Sequence, residues 1–162
     1  MPGLCSRLPP AALLNNTTGD NNTANGAAAL FGNTTGSDNT AIGALALQTG
    51  NTPDGNTAVG SHVLENNRMG DHNTAIGYFA LASNTDGSIN TAIGLNALRN
   101  NTTGNGNLAA GRDALVNNTS SFFNVALGPV AGSNVTTADT VICLLSPGDN
   151  VAAPLGSITS IK

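Results

Sequence analysis

The sequence predicts an all-β fold: a parallel β-solenoid of seven 17-residue coils with almost no helix. Three observations carry this. The 162-residue chain repeats in consecutive units, 10–26, 27–43, 44–60, 61–77, 78–94, 95–111 and 112–128, without insertion or deletion. Four columns never vary: Leu at unit position 4, Asn at 13, Ala at 15 and Gly at 17. Each unit is also rich in Gly, Asn and Thr, poor helix formers that serve turns well. Units this short, returning in register, suit a solenoid whose coils touch only their neighbours.

The elements follow in chain order. Residues 1–9 do not repeat and, with Pro2 and Pro9, read as an irregular lead or cap. Residues 10–128 are the solenoid. Within a unit, Asn73 to Gly77 alternates side-chain faces and ends in Gly, which predicts a short strand. Tyr78-Phe79-Ala80-Leu81 predicts a second short segment. Asn101-Thr102-Thr103-Gly104 predicts a turn, because Asn and Gly tolerate positive φ and Asn can bond the backbone two residues on. After Gly128 the pattern weakens. Asp139 to Leu145 reads as one more strand, arriving two residues early. Residues 129–162 are therefore a degenerate final coil and a C-terminal cap or neck.

Stacking explains the constant columns. Coils about 4.8 Å apart, the spacing of strands in a sheet, bring each residue onto its own copies. Asn22, Asn39, Asn56, Asn73, Asn90, Asn107 and Asn124 then form an amide ladder, as stacked Asn does in cross-β structures. Leu30, Leu47, Leu64, Leu81, Leu98 and Leu115, with Leu13 before them, form an apolar stripe. Ile42, Val59, Ile76, Ile93 and Leu127 form a second stripe at position 16, broken by Asn25 and Ala110. Two large apolar side chains per unit make a thin core. The invariant Ala column, small enough for backbones to approach closely, predicts burial against further copies of the chain.

Composition narrows the function classes. Charged residues are 9% of the chain, against about 25% in an ordinary domain. Five Lys plus Arg stand against nine Asp plus Glu, for a net charge of −4. This excludes phosphate-neutralising nucleic-acid binding and a polybasic membrane patch. No apolar run approaches the ~20 residues that span a bilayer, so membrane insertion by this segment is not expected. Cys5 and Cys143 make neither a disulfide framework nor a zinc site, and the first five residues carry no signal-peptide pattern.

The Asn-Thr-Ala-Ile-Gly element resembles the Asn-Ser-Val-Ala-Ile-Gly repeat of YadA-like heads in trimeric autotransporter adhesins. Similar runs occur in phage tail fibres. The resemblance covers residues 10–145. It implies a left-handed parallel β-roll, a homotrimer, and an adhesive or structural role outside the cell, at the cell surface or on a virion tail fibre. Carried over by motif, Ile42, Val59, Ile76, Ile93 and Leu127 would point into the roll. Thr40, Thr57, Thr74, Thr91, Leu108 and Val125 would share their face, where the family has Val.

The search for chemistry gives little. His62 and His72 sit at unit positions 2 and 12 and are expected to be separate, solvent-exposed variable positions. Glu65 is the only Glu, so a pair of acids for glycoside hydrolysis would need an Asp. Asp20, Asp54 and Asp71 share position 11, with Asp38 beside them; they read as turn residues, weak Ca²⁺ binding being the alternative. Asn-x-Thr/Ser triplets begin at Asn15, Asn16, Asn21, Asn33, Asn100, Asn101, Asn117, Asn118 and Asn134, and follow from the repeat itself. Phe31, Tyr78, Phe79, Phe122 and Phe123 fall at variable positions, for packing between chains or for an exposed adhesive patch. No enzyme activity, cofactor or metal is expected. The expected function is a trimeric structural or adhesive module presenting a repetitive surface to a host surface, matrix or glycan. The alternative is an ice-binding solenoid, which would want Thr-x-Thr on one strand; here each strand offers a single Thr.

Overall fold

A computed structural model describes residues 11–50 and 53–145, and the backbone of Ser160–Ile161. The expectations for residues 1–9 (Cys5 among them) and for most of 146–162 lie outside the described residues. The chain is a parallel β-solenoid, and no helix occurs among the described residues. Among the described residues, nine short strands form one sheet in chain order: β1 (Thr23–Asn25), β2 (Thr40–Ile42), β3 (Thr57–Val59), β4 (Thr74–Ile76), β5 (Thr91–Ile93), β6 (Leu108–Ala110), β7 (Val125–Leu127), β8 (Ile142–Leu144) and β9 (Ser160–Ile161). Every pairing is parallel, and from β1 to β7 like unit positions pair, as in Thr57↔Thr74 and Ala58↔Ala75.

Two expectations about the strands change. β8 does not arrive early: Val125 pairs with Ile142 and Leu127 with Leu144, so the 17-residue step carries through an eighth coil. The segment 78–81 is not a second strand. Phe79 and Leu81 lie in the left-handed region, at φ 57° and 51°, as do the other residues at positions 2 and 4 from the second coil onward. Alternating hands turn the chain through a corner while its amides still reach the next coil, as Leu81 N–H does to Ala97 O at 3.0 Å. Holding Leu in that region costs roughly 1–2 kcal/mol each, tolerated because Leu30 to Leu115 fill the bore and are fully buried.

The core is narrower than the apolar pattern suggests. Ala41, Ala58, Ala75, Ala92, Ala109 and Ala126 are fully buried inside a single chain, facing the Leu column. A second small column, at unit position 3 (Ala29, Ala46, Val63, Ala80, Ala97, Ala114), completes the interior. The Ala column at position 15 therefore serves the coil's own bore and does not mark an approach between chains. Strand alternation then sends position 16 outward: Ile42, Ile76, Ile93 and Leu127 are 39–43% exposed, and Val59 is half-buried. The position-16 column does not point into the roll. With Leu and Asn already inside each coil, only a methyl group fits opposite them.

Two amide ladders line the bore. At position 13, Asn73 Nδ2 donates to Asn56 Oδ1 at 3.2 Å and to Gly87 O at 2.8 Å; Asn73 Oδ1 accepts from the Asn90 N–H and Asn90 Nδ2 at 2.9 and 3.1 Å. The same pattern recurs from Asn22 to Asn107; Asn124 joins it through its N–H, while its Nδ2 donates to Ser121 Oγ and Ala138 O. At position 7, Asn84 Nδ2 donates to Asn67 Oδ1 at 2.7 Å, and Asn101 and Asn118 continue upward. The position-10 carbonyl joins the ladders, since Gly87 O accepts from both Asn73 and Asn84.

The second ladder has one gap, with a structural cause. Gly50 stands where Asn belongs, and Asn33 Oδ1 is left buried without a hydrogen-bond partner. In the same coil Pro53 replaces the Gly of position 10. A Cβ on Gly50 would lie 2.7 Å from Pro53 Cγ; conversely, a Cβ on Gly87 would lie 2.4 Å from Asn84 Oδ1. Asn at position 7 goes with Gly at position 10 in five coils, and only the small Ser121 replaces that Gly, beside Asn118; Pro at 10 goes with Gly at 7. The double change Gly50→Asn with Pro53→Gly is expected to close the ladder and raise the melting temperature, whereas Gly50→Asn alone lowers it. A thermal double-mutant cycle should give a coupling of roughly 1–3 kcal/mol. Additive effects would refute the linkage.

Candidate functional surface

The outer face of the sheet is built from unit positions 14 and 16, which share one side of each strand. From β2 to β8 it reads Thr-Ile, Thr-Val, Thr-Ile, Thr-Ile, Leu-Ala, Val-Leu and Ile-Leu. No charged residue interrupts it, and it grows more apolar toward β8. At one strand spacing per coil it runs for about 30 Å. The registry Thr40↔Thr57↔Thr74↔Thr91 sets four hydroxyl-bearing side chains in one row beside the Ile column. The position-16 column is thus an apolar row with Thr beside it in β2 to β5.

A second feature lies at the corner formed by positions 1, 2 and 5. His62 stacks on Phe79 (centroids 4.7 Å, 24° between planes), and the Arg99 guanidinium lies 4.8 Å from the centroid of the same ring. Tyr78 meets Phe79 at 4.4 Å and 70°. His62 Nδ1 is 2.9 Å from Glu65 Oε2. His62 is thus a packed, half-buried member of a cluster, not the exposed variable position expected. His72 is exposed, with its ring over Gly55, and takes no part in the cluster. Phe122 and Phe123 are exposed at positions 11 and 12. The sequence carried a signal for this cluster: Tyr78-Phe79, His62 and Arg99 fall in three adjacent units at positions 1, 2 and 5, which the coil geometry brings together.

The position-11 residues have a structural task. Asp54 Oδ1 accepts from the Ser37 N–H, Asp71 Oδ1 from the Asp54 N–H, and Asn105 Oδ1 from the Ser88 N–H, each one coil apart at 2.5–2.8 Å. Ser37 and Ser88 hydroxyls do the same for Asp20 and Asp71. From Asp20 to Asn105 the column carries only Asp, Ser or Asn, each a short side chain with an acceptor, and Phe122 interrupts it in the seventh coil. No group of three or more metal-ligating side chains occurs among the described residues. Of the Asn-x-Thr/Ser triplets, those at Asn33, Asn101 and Asn118 lie inside the bore, where their amides belong to the position-7 ladder. Cys143 is buried in β8 opposite Ala126. No helix among the described residues is long and apolar enough to cross a membrane.

Comparison of the chain with known protein families, characterised proteins and solved structures finds no match.

Proposed function

We propose that this protein is a non-enzymatic structural and adhesive module. It is a left-handed β-roll that assembles as a homotrimer outside the cell or on a fibre and presents a repetitive surface for attachment. The observation that carries the reading is the uncharged outer face, with Ile42, Ile76, Ile93 and Leu127 left 39–43% exposed in the single chain. Burying a side chain of that size is worth about 1.5–3 kcal/mol, a gain repeated in coil after coil. The resemblance of Asn-Thr-Ala-Ile-Gly to YadA-like head repeats supports three copies and an extracellular setting.

Sedimentation at micromolar concentration is expected to give three times the 16.0 kDa chain mass. Ile76→Asp is expected to leave the far-UV spectrum of the chain unchanged and to shift the assembly toward monomer, because association would bury an unpaired carboxylate. A folded wild-type monomer at that concentration would refute the assembly. The row of Thr40, Thr57, Thr74 and Thr91 beside β-branched neighbours favours one second reading, a lattice-binding face as in an ice binder. A thermal-hysteresis measurement separates the two, since a face closed by assembly cannot meet a crystal.

A further inference from the structure

We propose that the corner around Tyr78 is a saccharide-binding platform, selective for a sugar that carries a carboxylate. This deepens the adhesive reading and rests on it: it names the class of ligand such a module would hold.

The argument begins with how the rings are fixed. Phe79 is half-buried, with His62 from the preceding coil stacked on it and Arg99 from the following coil over it. Both faces of Phe79 are thereby occupied, so its contact with Tyr78 at 4.4 Å and 70° is made by its edge. That edge braces one side of the Tyr78 ring. His62 meets the same ring edge-on at 5.9 Å, and Tyr78 stays 49% exposed. A braced, open aromatic face suits the C–H groups on the apolar face of a sugar ring, which are attracted to the negative π face.

The polar groups at its border complete the site. His62 Nδ1 holds Glu65 Oε2 at 2.9 Å. Asn96 Nδ2 donates to Asp113 Oδ1 at 2.9 Å, leaving its Oδ1 as an acceptor for hydroxyls. Arg99 is exposed, and among the described residues no carboxylate pairs with it; the ion pairs there are His62–Glu65 and Arg112–Asp113. A guanidinium held against an aromatic ring, with its donors free, is built to take a carboxylate in a two-pronged contact. The chain's single Tyr, one of its four Phe and one of its two His meet here, on a molecule only 3% aromatic. Leu95, one coil on from Tyr78 in the same column and 42% exposed, adds apolar surface beside the ring.

The test is titration of the whole chain with tetragalacturonate and, as the neutral counterpart, maltotetraose. Tetragalacturonate is expected to bind saturably and about tenfold more tightly. Arg99→Gln is expected to abolish that preference by weakening the acidic ligand about tenfold, and Tyr78→Ala to weaken both ligands. Phe123→Ala, 66% exposed at unit position 12, should change neither. Melting curves of all three variants should match the wild type. No saturable binding at millimolar ligand, binding indifferent to both Arg99→Gln and Tyr78→Ala, or a large fall in melting temperature in either would overturn the proposal, the last by making the cluster mere packing. Mass measured on the same sample keeps the readings apart: a trimer without saccharide binding fails this inference alone, and a monomer that binds fails the assembly alone.

Discussion

Asn73→Ala is expected to destabilise the solenoid by roughly 2–6 kcal/mol, far more than its polarity and small size suggest. The substitution removes the Oδ1 that accepts from both the Asn90 backbone N–H and Asn90 Nδ2. Both donors lie in a bore where Asn73 and Asn90 are 0% and 1% exposed, so water cannot replace the lost acceptor. Each stranded buried donor costs about 1–3 kcal/mol. Gly87 O keeps Asn84, and Asn56 Oδ1 keeps the Asn73 N–H, so the damage points toward the following coil. The control is Asn66→Ala. Asn66 is exposed and its amide donates to Ala82 O at 2.9 Å. Its loss should cost at most about 1 kcal/mol. Thermal unfolding followed by circular dichroism, at one fixed protein concentration because assembly shifts the midpoint, should separate the two clearly. Equal losses would mean that the ladder contributes nothing beyond a surface hydrogen bond.

The ladder also shows where sequence reading reaches and where it stops. Seven Asn at one column, one period apart, announce a vertical amide stack, because only a stack gives identical neighbours to identical residues. The end of the stack is written too. In the eighth coil Val141 occupies the Asn position, and its N–H still finds Asn124 Oδ1 at 2.7 Å. The last coil on a ladder needs the acceptor below it and need not offer one above. The facing of the strand was not legible in the same way. Thr-Ala-Ile alternation says that Ala opposes Thr and Ile, but not which side is inside. Hydrophobicity favours Ile for the interior. Volume decides otherwise, since Leu81 with the Asn and Ala columns already fills the coil. The corner at 78–81 is hidden from the sequence for a related reason. Leu and Phe in the left-handed region run against local preference, and only packing of the Leu side chain into the bore holds them there. Position 11 looked like a row of turn residues because its backbone partners lie one coil away, a distance that local turn chemistry does not address.

Gly77→Ala and Gly55→Ala, the same change at two positive-φ glycines, are expected to differ by several kcal/mol. Gly55 has φ +64° and turns the chain at position 12, where Asp38 and His72 hold the same conformation in neighbouring coils. An added Cβ there would have as its nearest neighbour His72 Cδ2 at 3.2 Å, the end of a side chain that can move. The cost is then the left-handed conformation alone, roughly 1–2 kcal/mol. Gly77 has φ +138°, a region that side chains rarely adopt, and its added Cβ would lie 2.4 Å from Gly94 O and 2.7 Å from Gly94 C. Both are backbone atoms of the next coil and cannot rotate aside. Relief requires the coils to part at this corner. That would endanger the Gly77 N–H bond to Val59 O at 2.9 Å and the Gly94 N–H bond to Ile76 O at 2.8 Å. Gly94 stands in the same relation to Gly111, so displacing one corner strains the next. The expected loss is above about 4 kcal/mol, the exceptional end of single substitutions. Urea midpoints of the two variants give the comparison directly. A Gly77→Ala protein that unfolds together with Gly55→Ala would show that the coils stand further apart at this corner than the 2.4 Å approach requires.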